Sequence, residues 1–202
     1  IIAGVSRCDD YFDVLKLNTD GQTPLYPQLV LNGTFVPLAY GGFIDFFIDN
    51  GYELNKDLFI FPYDWRKDIS LTSPLLDQKI ESIKQQTGSD KIDIVAHSMG
   101  GLVARNYIAD SGAAQKVRKL FTLGTPHLGS SEYIKNLMYG GCLSKDPFKE
   151  PICFGVSSSE VKDVVQNMIS GFELAPSQKY SIFYSGEDNF HDAAHVFATR
   201  WT

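Results

Sequence analysis

The sequence of 202 residues lacks any long uninterrupted hydrophobic segment. Because a membrane-spanning helix needs about 18 or more consecutive apolar residues, we expect no transmembrane segment in this chain. Basic residues are not in excess either, since 18 Lys and Arg stand against 24 Asp and Glu, and they form no basic run. The resulting net charge of −6 argues against a nucleic-acid partner.

Cysteine is scarce, with three residues, so at least one thiol has no partner within the chain. Cys142 and Cys153 flank a loop with two prolines and could form a local disulfide in an oxidising compartment, which would leave Cys8 free. Three reduced thiols are an equally good interpretation. The cysteines and histidines show no metal-ligand spacing, so we expect no metal and no cofactor. The chain begins without Met and without a signal-peptide pattern, which leaves its compartment open.

Short apolar runs separated by amphipathic segments indicate an α/β architecture. Residues 58–61, 92–95 and 119–123 are typical of buried parallel strands. Helices are predicted around residues 43–48, from Ser73 and Pro74 to Gly88, and over residues 102–109 with Gly112 as a stop. Because strands alternate with helices, the strands should form a parallel sheet. A further strand is predicted at residues 180–186.

Residues 92–104 read IDIVAHSMGGLVA, an apolar strand that passes through a turn of small residues directly into a helix. This order is typical of a nucleophile elbow, in which a serine at the tip adopts a strained conformation and exposes its oxygen. The serine is Ser98. Ala96 and Gly100 are expected to be small because larger side chains would collide across the turn. Gly101 gives the helix further room to approach the strand.

The residue after Ser98 is expected to supply a hydrogen-bond donor to the reaction. Met99 opens the helix, so its backbone N–H should point into the space that the serine oxygen faces and could stabilise an oxyanion. A free serine is too weak a nucleophile at neutral pH, so a base and an acid that orients it are also required. In proteins with such an elbow, the acid and the base both follow the serine in the chain, so we expect both after Ser98.

Few residues after Ser98 can complete a triad. Asp188, just after the strand predicted at residues 180–186, is the best candidate for the acid; an exposed loop carboxylate is the alternative. His191 and His195 are the only histidines that follow it. They follow too closely to leave room for the strand that normally separates acid from histidine. We therefore expect the catalytic histidine beyond Thr202.

Four motifs in this order resemble those of the lecithin:cholesterol acyltransferase family and its phospholipid:diacylglycerol acyltransferase relatives. They are FPYDWR at residues 61–66, AHSMGG at 96–101, GTPHLGS at 124–130 and ELAPS at 173–177. Together they extend over most of the chain. The resemblance implies a serine enzyme that cleaves an ester of a phospholipid or related lipid and passes the acyl group to water or to an alcohol.

The resemblance also implies a fold. We expect an α/β-hydrolase domain over residues 1–202, with a mostly parallel sheet, helices on both faces and a cap insertion at about residues 130–178. The family pattern has an early strand with a glycine loop that donates a second oxyanion N–H, and a late histidine. Neither is evident here, so we expect the chain to be a central fragment, incomplete at both ends.

Other residues of these motifs have a structural and a functional interpretation. Asp64 and Arg66 are expected to pair with neighbours at a strand end. Tyr63 and Trp65 are candidates for the edge of an acyl pocket, although packing alone would also explain them. His127 precedes the acid, so we expect a hydrogen-bonded turn residue rather than the catalytic base. His97 is expected to be buried packing beside the elbow.

Three functions remain open: a lipid acyltransferase or phospholipase that forms an acyl-enzyme on Ser98, an esterase or lipase that only hydrolyses, and a non-catalytic fragment or pseudoenzyme that binds lipid. The expected partner is a phospholipid or another acyl-ester lipid at a lipid surface. An apolar edge over residues 161–172, with Met168 and Ile169, could contact that surface. The alternative is an ordinary amphipathic helix that faces the core.

Overall fold

The computed structural model describes residues 15–25, 36–130, 133–134, 137–138, 158–176, 183–185 and 189–191. The chain divides into a central unit, Val30–Thr125, and a terminal unit, Ile1–Leu29 with Pro126–Thr202. Several residues singled out above lie outside the described residues, namely Cys8, Cys142, Cys153, Asp188 and His195.

The central unit is an α/β structure with a small parallel sheet. Its elements are α1 (Val36–Asp49), α2 (Ile69–Thr87), β1 (Ile92–His97), α3 (Gly100–Ile108), α4 (Ser111–Ala114) and β2 (Val117–Leu123). Strands β1 and β2 pair in parallel, with Asp93 opposite Lys119 and His97 opposite Leu123. The parallel pairing of these two segments is confirmed, and the architecture is compatible with a hydrolase-like fold.

The strand predicted at residues 58–61 is not formed. The segment takes part only in an isolated parallel bridge between Leu54 and Leu58. An apolar run becomes a strand when a neighbouring strand takes up its backbone hydrogen bonds. Among the described residues no strand pairs with residues 59–61. The apolar run alone is therefore not sufficient to form a strand there.

Helix α2 ends where predicted but begins earlier. Gly88 closes it in the left-handed conformation (φ 71°), and its N–H donates to the Lys84 carbonyl. The start lies at Ile69, because the Asp68 carboxylate accepts the Ser70 N–H at 2.7 Å and caps the helix. Pro74 therefore lies inside the helix rather than at its first turn, which corrects the predicted start.

The spacing of the apolar residues predicts that Leu75, Leu76, Ile80 and Ile83 share one face of α2, and the buried face in the structure differs from it. Leu76 and Ile80 are buried, as expected, but Leu75 is 52% exposed. Ile69 and Thr72 complete the buried face instead. The earlier start explains the difference, since the spacing 69, 72, 76, 80 follows the turn of an α-helix from its true beginning.

Helix α3 packs against α2 and against both strands. Val103, Ala104 and Tyr107 are buried on it. The predicted stop at Gly112 is wrong: α3 ends at Ile108, and Gly112 lies in the next helix, α4. The Asp110 carboxylate accepts the N–H groups of Gly112 (2.7 Å) and Ala113 (3.1 Å), so it caps α4.

The terminal unit contains α5 (Ser158–Val165), α6 (Ile169–Glu173), and strands β3 (Phe183–Ser185) and β4 (Asn189–His191). The two strands are antiparallel, with Phe183 opposite His191. A strand within residues 180–186 is thereby confirmed for its central part.

The amphipathic segment over residues 161–172 is two helices rather than one. Val164 and Met168 are buried, whereas Phe172 is 44% exposed. Tyr133, Ile134 and Leu137 form the adjoining core cluster. Val164 and Met168 are therefore buried, as expected of an amphipathic helix that faces the core.

Candidate active site

Only two residues, Ser98 and Met99, separate strand β1 from helix α3. Ser98 has φ 52°, in the left-handed region, which costs a residue with a Cβ atom about 1–2 kcal/mol. Its N–H donates to the Leu123 carbonyl (2.9 Å) and its carbonyl accepts the Gly101 N–H (3.0 Å). These bonds hold the strained turn in place, and the strand–turn–helix geometry is that of a nucleophile elbow.

Close packing at the turn leaves no room for a side chain at Gly101, whereas a methyl group fits at Gly100. A Cβ atom on Gly100 would lie 3.8 Å from the Tyr63 hydroxyl and 3.9 Å from the Ala96 methyl, which are ordinary contacts. A Cβ atom on Gly101 would lie 2.7 Å from Cγ2 and 2.8 Å from Cβ of Thr125. The expectation that a larger residue at Gly100 would collide across the turn is therefore wrong for a single methyl group.

The backbone N–H of Met99 is available at the start of α3. Met99 caps the helix in a helical conformation, and its carbonyl accepts from Leu102 (2.9 Å) and Val103 (3.2 Å). Among the described residues its N–H donates to no backbone carbonyl. A free N–H at a helix N-terminus is a suitable donor to an anion.

His97, beside the elbow, is exposed rather than buried, which corrects the expectation of a packed histidine. Its Nδ1 lies 3.0 Å from the hydroxyl of Tyr40, and the two rings meet edge to face with centroids 5.7 Å apart. The contact joins α1 to the end of β1. It involves residues 57 positions apart, so no local pattern in the sequence pointed to Tyr40.

Tyr63 and Trp65 differ in their surroundings. The Tyr63 side chain is half-buried and stacks on Phe61 with ring centroids 6.0 Å apart. Burial, together with the nearby Tyr40, raises the pKa of Tyr63 to about 12, so its hydroxyl keeps its proton at neutral pH. Trp65 is 42% exposed. Of the two candidates for a pocket edge, Tyr63 is the one that lies beside the elbow.

Asp64 and Arg66 form a two-point ion pair with each other. Nε and Nη2 of Arg66 each donate to an Asp64 carboxylate oxygen at 2.8 Å, and Arg66 is fully buried. Burial acts to raise the pKa of Asp64, but the hydrogen bonds and charge of Arg66 outweigh it and hold that pKa below its ordinary value. The pairing expected for these residues is confirmed, although each is the other's partner and no strand ends before them.

The remaining candidates lie in the terminal unit. His127 lies exposed in a turn that the Gly129 N–H closes on the Pro126 carbonyl (3.0 Å). Asp188 and His195 lie outside the described residues, as does the side chain of His191. The roles assigned to them from the sequence stay predictions.

Thr125 is a site residue that sequence reasoning missed. Its Oγ1 is buried and has no hydrogen-bond partner among the described residues, and its side chain packs on Gly101. The signal was present in the GTPHLGS motif, where Thr125 follows β2. A buried hydroxyl without a hydrogen-bond partner is uncommon in proteins and lowers their stability. Thr125 is such a case, and it lies beside the elbow.

Neither a metal-binding cluster nor a membrane-spanning helix occurs among the described residues. No cluster of three or more His, Cys, Asp or Glu side chains there is arranged to hold a metal ion. Likewise, no described helix has both the length and the hydrophobicity needed to cross a membrane.

The chain is similar to three proteins over part of its length. It is 32% identical over 95 residues to "Lecithin-cholesterol acyltransferase-like 4" of Arabidopsis thaliana, covering 45% of this chain and 18% of that protein. It is 30% identical over 102 residues to "Phospholipase A(1) LCAT3" of the same plant, covering 48% and 23%. A "Triacylglycerol lipase" of Pseudarthrobacter phenanthrenivorans is 34% identical over 61 residues, covering 29% of this chain and 18% of the lipase.

These matches span about a fifth of the length of the relatives. The sequence profile of the lecithin:cholesterol acyltransferase family, in contrast, matches residues 35–152, more than half of this chain. That range includes the FPYDWR motif at residues 61–66, the elbow and Thr125. The chain therefore belongs to the lecithin:cholesterol acyltransferase family.

Proposed function

We propose that this protein transfers an acyl group from a phospholipid or related lipid ester to water or to an alcohol, through an acyl-enzyme on Ser98. The observation that carries the proposal is the positive φ of Ser98 between β1 and α3. A serine held in this strained geometry exposes its oxygen at the start of a helix, where an acyl-transfer intermediate can be bound.

The chemistry follows from the groups around the turn. The Ser98 oxygen adds to the ester carbonyl carbon while its proton passes to a general base, and the carbonyl electron pair becomes an oxyanion. The Met99 N–H donates to that oxyanion. The base is an imidazole, and Asp188 is the candidate acid that orients it. Collapse of the intermediate breaks the ester bond, and the leaving alcohol takes the proton from the imidazolium, which leaves the acyl group on Ser98. Water or an acceptor alcohol then gives its proton to the same imidazole and attacks the acyl-enzyme, and the Ser98 oxygen leaves with that proton.

The substrate class is proposed from the family and from the names of relatives. The names of three relatives refer to enzymes that act on lipid esters: an acyltransferase-like protein, a phospholipase and a triacylglycerol lipase. Tyr63 and Trp65 would line the acyl side of the site. We further propose that residues 1–202 belong to one hydrolase domain, with a cap at about residues 130–178.

The proposal is tested with phosphatidylcholine vesicles and the purified protein. Fatty acid and lysolipid are measured by mass spectrometry, with and without a long-chain alcohol, for the wild type and for Ser98→Ala. Ser89→Ala, which changes an exposed serine after α2, is the control. We expect product from the wild type and the control and none from Ser98→Ala. Equal product from Ser98→Ala would overturn the proposal.

A hydrolase that uses water alone is the second candidate, favoured by the match to the triacylglycerol lipase. The same assay separates the two. Acyl ester formed on the added alcohol supports the transferase, whereas free fatty acid alone in the presence of alcohol supports the hydrolase. Vesicle binding without either product would support a non-catalytic lipid-binding protein.

A further inference from the structure

The backbone of Ser98 is held from two sides, by the end of β2 and by the first turn of α3. Its N–H donates to the carbonyl of Leu123, the last residue of β2, at 2.9 Å. Its carbonyl accepts the N–H of Gly101 in α3 at 3.0 Å. The positive φ of Ser98 costs free energy and persists only where the surroundings impose it. The conformation of Ser98 therefore depends on how the end of β2 and the start of α3 are held together.

The side chain of Thr125 lies between these two supports. Thr125 follows Leu123 closely in the chain, just past the end of β2. A Cβ atom built on Gly101 would lie 2.7 Å from Cγ2 and 2.8 Å from Cβ of Thr125, and closer still to its Oγ1. The Gly101 Cα and the Thr125 side chain are thus in direct contact. Thr125 therefore touches the same glycine whose N–H holds the Ser98 carbonyl.

The contact between Thr125 and Gly101 depends on shape. The buried Oγ1 of Thr125 has no hydrogen-bond partner in the part of the chain that the structure describes. The hydroxyl therefore adds no hydrogen bond, whereas Oγ1, Cγ2 and Cβ all fill space beside Gly101. A smaller side chain would leave a void, into which the first turn of α3 can shift.

We propose that Thr125 is a positioning residue for Ser98: its side chain fills the space between the end of β2 and Gly101 and so fixes the first turn of α3 and the Ser98 backbone. The inference rests on the proposed function, to which it adds a residue that keeps the nucleophile in place. Thr125 touches neither the substrate nor the reacting atoms.

A shift of α3 would act on the two reacting groups of the turn. The Ser98 oxygen and the Met99 N–H both belong to the link between β1 and α3, so they would move together relative to the base. A displacement of about 1 Å lowers the rate of such a reaction on the order of 100-fold. The bonds and protons exchanged in acyl transfer stay those of the proposed function.

The test compares Thr125→Ala with Thr72→Ala in the full-length protein. Thr72→Ala is the matched control, because it removes the same atoms from a buried threonine on α2. The rate of reaction with a fluorophosphonate, and kcat and KM for p-nitrophenyl butyrate, are measured well below the melting temperature of each variant. We expect Thr125→Ala to lower kcat on the order of 10- to 100-fold with little change in KM. Thr72→Ala should react like the wild type, whatever stability it loses.

A conservative variant separates shape from the hydroxyl group. Thr125→Val keeps the shape of the side chain and removes only the unpaired hydroxyl, so it should restore the rate that Thr125→Ala loses. A rate in Thr125→Val as low as in Thr125→Ala would show that the hydroxyl acts rather than the shape, and would overturn the proposal.

The contact is also tested from the side of α3. In Gly101→Ala the added methyl group meets three atoms of the Thr125 side chain, so acylation should be slow. Thr125→Gly removes those three atoms, and the double variant Gly101→Ala with Thr125→Gly should recover part of the rate. Losses that simply add in the double variant would show two independent effects and contradict the proposal.

The outcomes distinguish this proposal from the proposed function. A wild-type kcat in folded Thr125→Ala, or an equal loss in Thr72→Ala, would overturn the positioning role while the chemistry of Ser98 stands. Absence of a Ser98 adduct in the folded full-length wild type would overturn both.

Discussion

Two arginines make the same two-point contact with an aspartate but in different surroundings. Arg66 is 0% exposed in its pair with Asp64, whereas Arg118 is 66% exposed in its pair with Asp93. Loss of one partner from a buried pair leaves the other charge poorly solvated and costs about 3 kcal/mol, but an exposed pair contributes about 1 kcal/mol or less. Burial, not geometry, should therefore decide which arginine matters.

We predict that Arg66→Met lowers the free energy of unfolding by about 3 kcal/mol and that the matched Arg118→Met, at an exposed side chain, lowers it far less. Urea unfolding followed by circular dichroism measures both. Equal losses would contradict the claim that burial decides which arginine matters.

The unpaired hydroxyl of Thr125 gives a prediction of the opposite sign. A buried hydroxyl without a partner is destabilising by about 1–3 kcal/mol, and valine has the same shape without the polar atom. Thr125→Val should therefore stabilise the protein by about 1 kcal/mol in thermal unfolding. Thr72→Val is the control, because the buried Thr72 hydroxyl bonds to the Asp68 carbonyl at 3.5 Å, and it should bring no gain. A loss of stability in Thr125→Val would mean that its hydroxyl has a partner.

At the scale of elements, the approach of α3 to the end of β2 depends on one glycine. A Cβ atom on Gly101 would lie 2.7 Å from Cγ2 of Thr125, closer than carbon atoms pack. We predict that Gly101→Ala destabilises the protein by about 1–3 kcal/mol through overpacking, while Gly100→Ala is neutral or stabilising by up to about 1 kcal/mol. Thermal unfolding of the two variants measures this. Similar stability would contradict the close packing at Gly101.

The elements show which features the sequence could predict. The end of α2 at Gly88 and the small-residue turn around Ser98 follow from local conformational preferences, so both were expected. The start of α2 was missed because the Asp68 cap outweighs the Ser-Pro signal five residues later. The strand expected at residues 58–61 depends on a partner strand, which no apolar run reveals. Likewise, the Tyr40–His97 contact joins positions far apart in the chain.

For the molecule as a whole, paired carboxylates set the response to acid. Hydrogen bonds from Lys116 lower the pKa of Asp77 and of Glu81, and hydrogen bonds from Arg118 lower that of Asp93. Their ordinary values are 3.8 for aspartate and 4.5 for glutamate. Because the folded pKa lies below the unfolded one, the stabilisation is present above these values and is lost as pH falls through the folded values.

We therefore predict a lower urea midpoint at pH 3 than at pH 7. Lys116→Met, which removes the partner of both Asp77 and Glu81, should reduce this difference. A midpoint that is unchanged or higher at pH 3 would contradict the role of these pairs.

The measurement that tests the central claim most directly is intact mass spectrometry of the folded full-length protein after reaction with a fluorophosphonate. An activated Ser98 predicts the mass gain of one probe, located on Ser98 by peptide mapping and absent from Ser98→Ala. An unlabelled wild type, or a label that persists in Ser98→Ala, would contradict the account of Ser98 as the nucleophile.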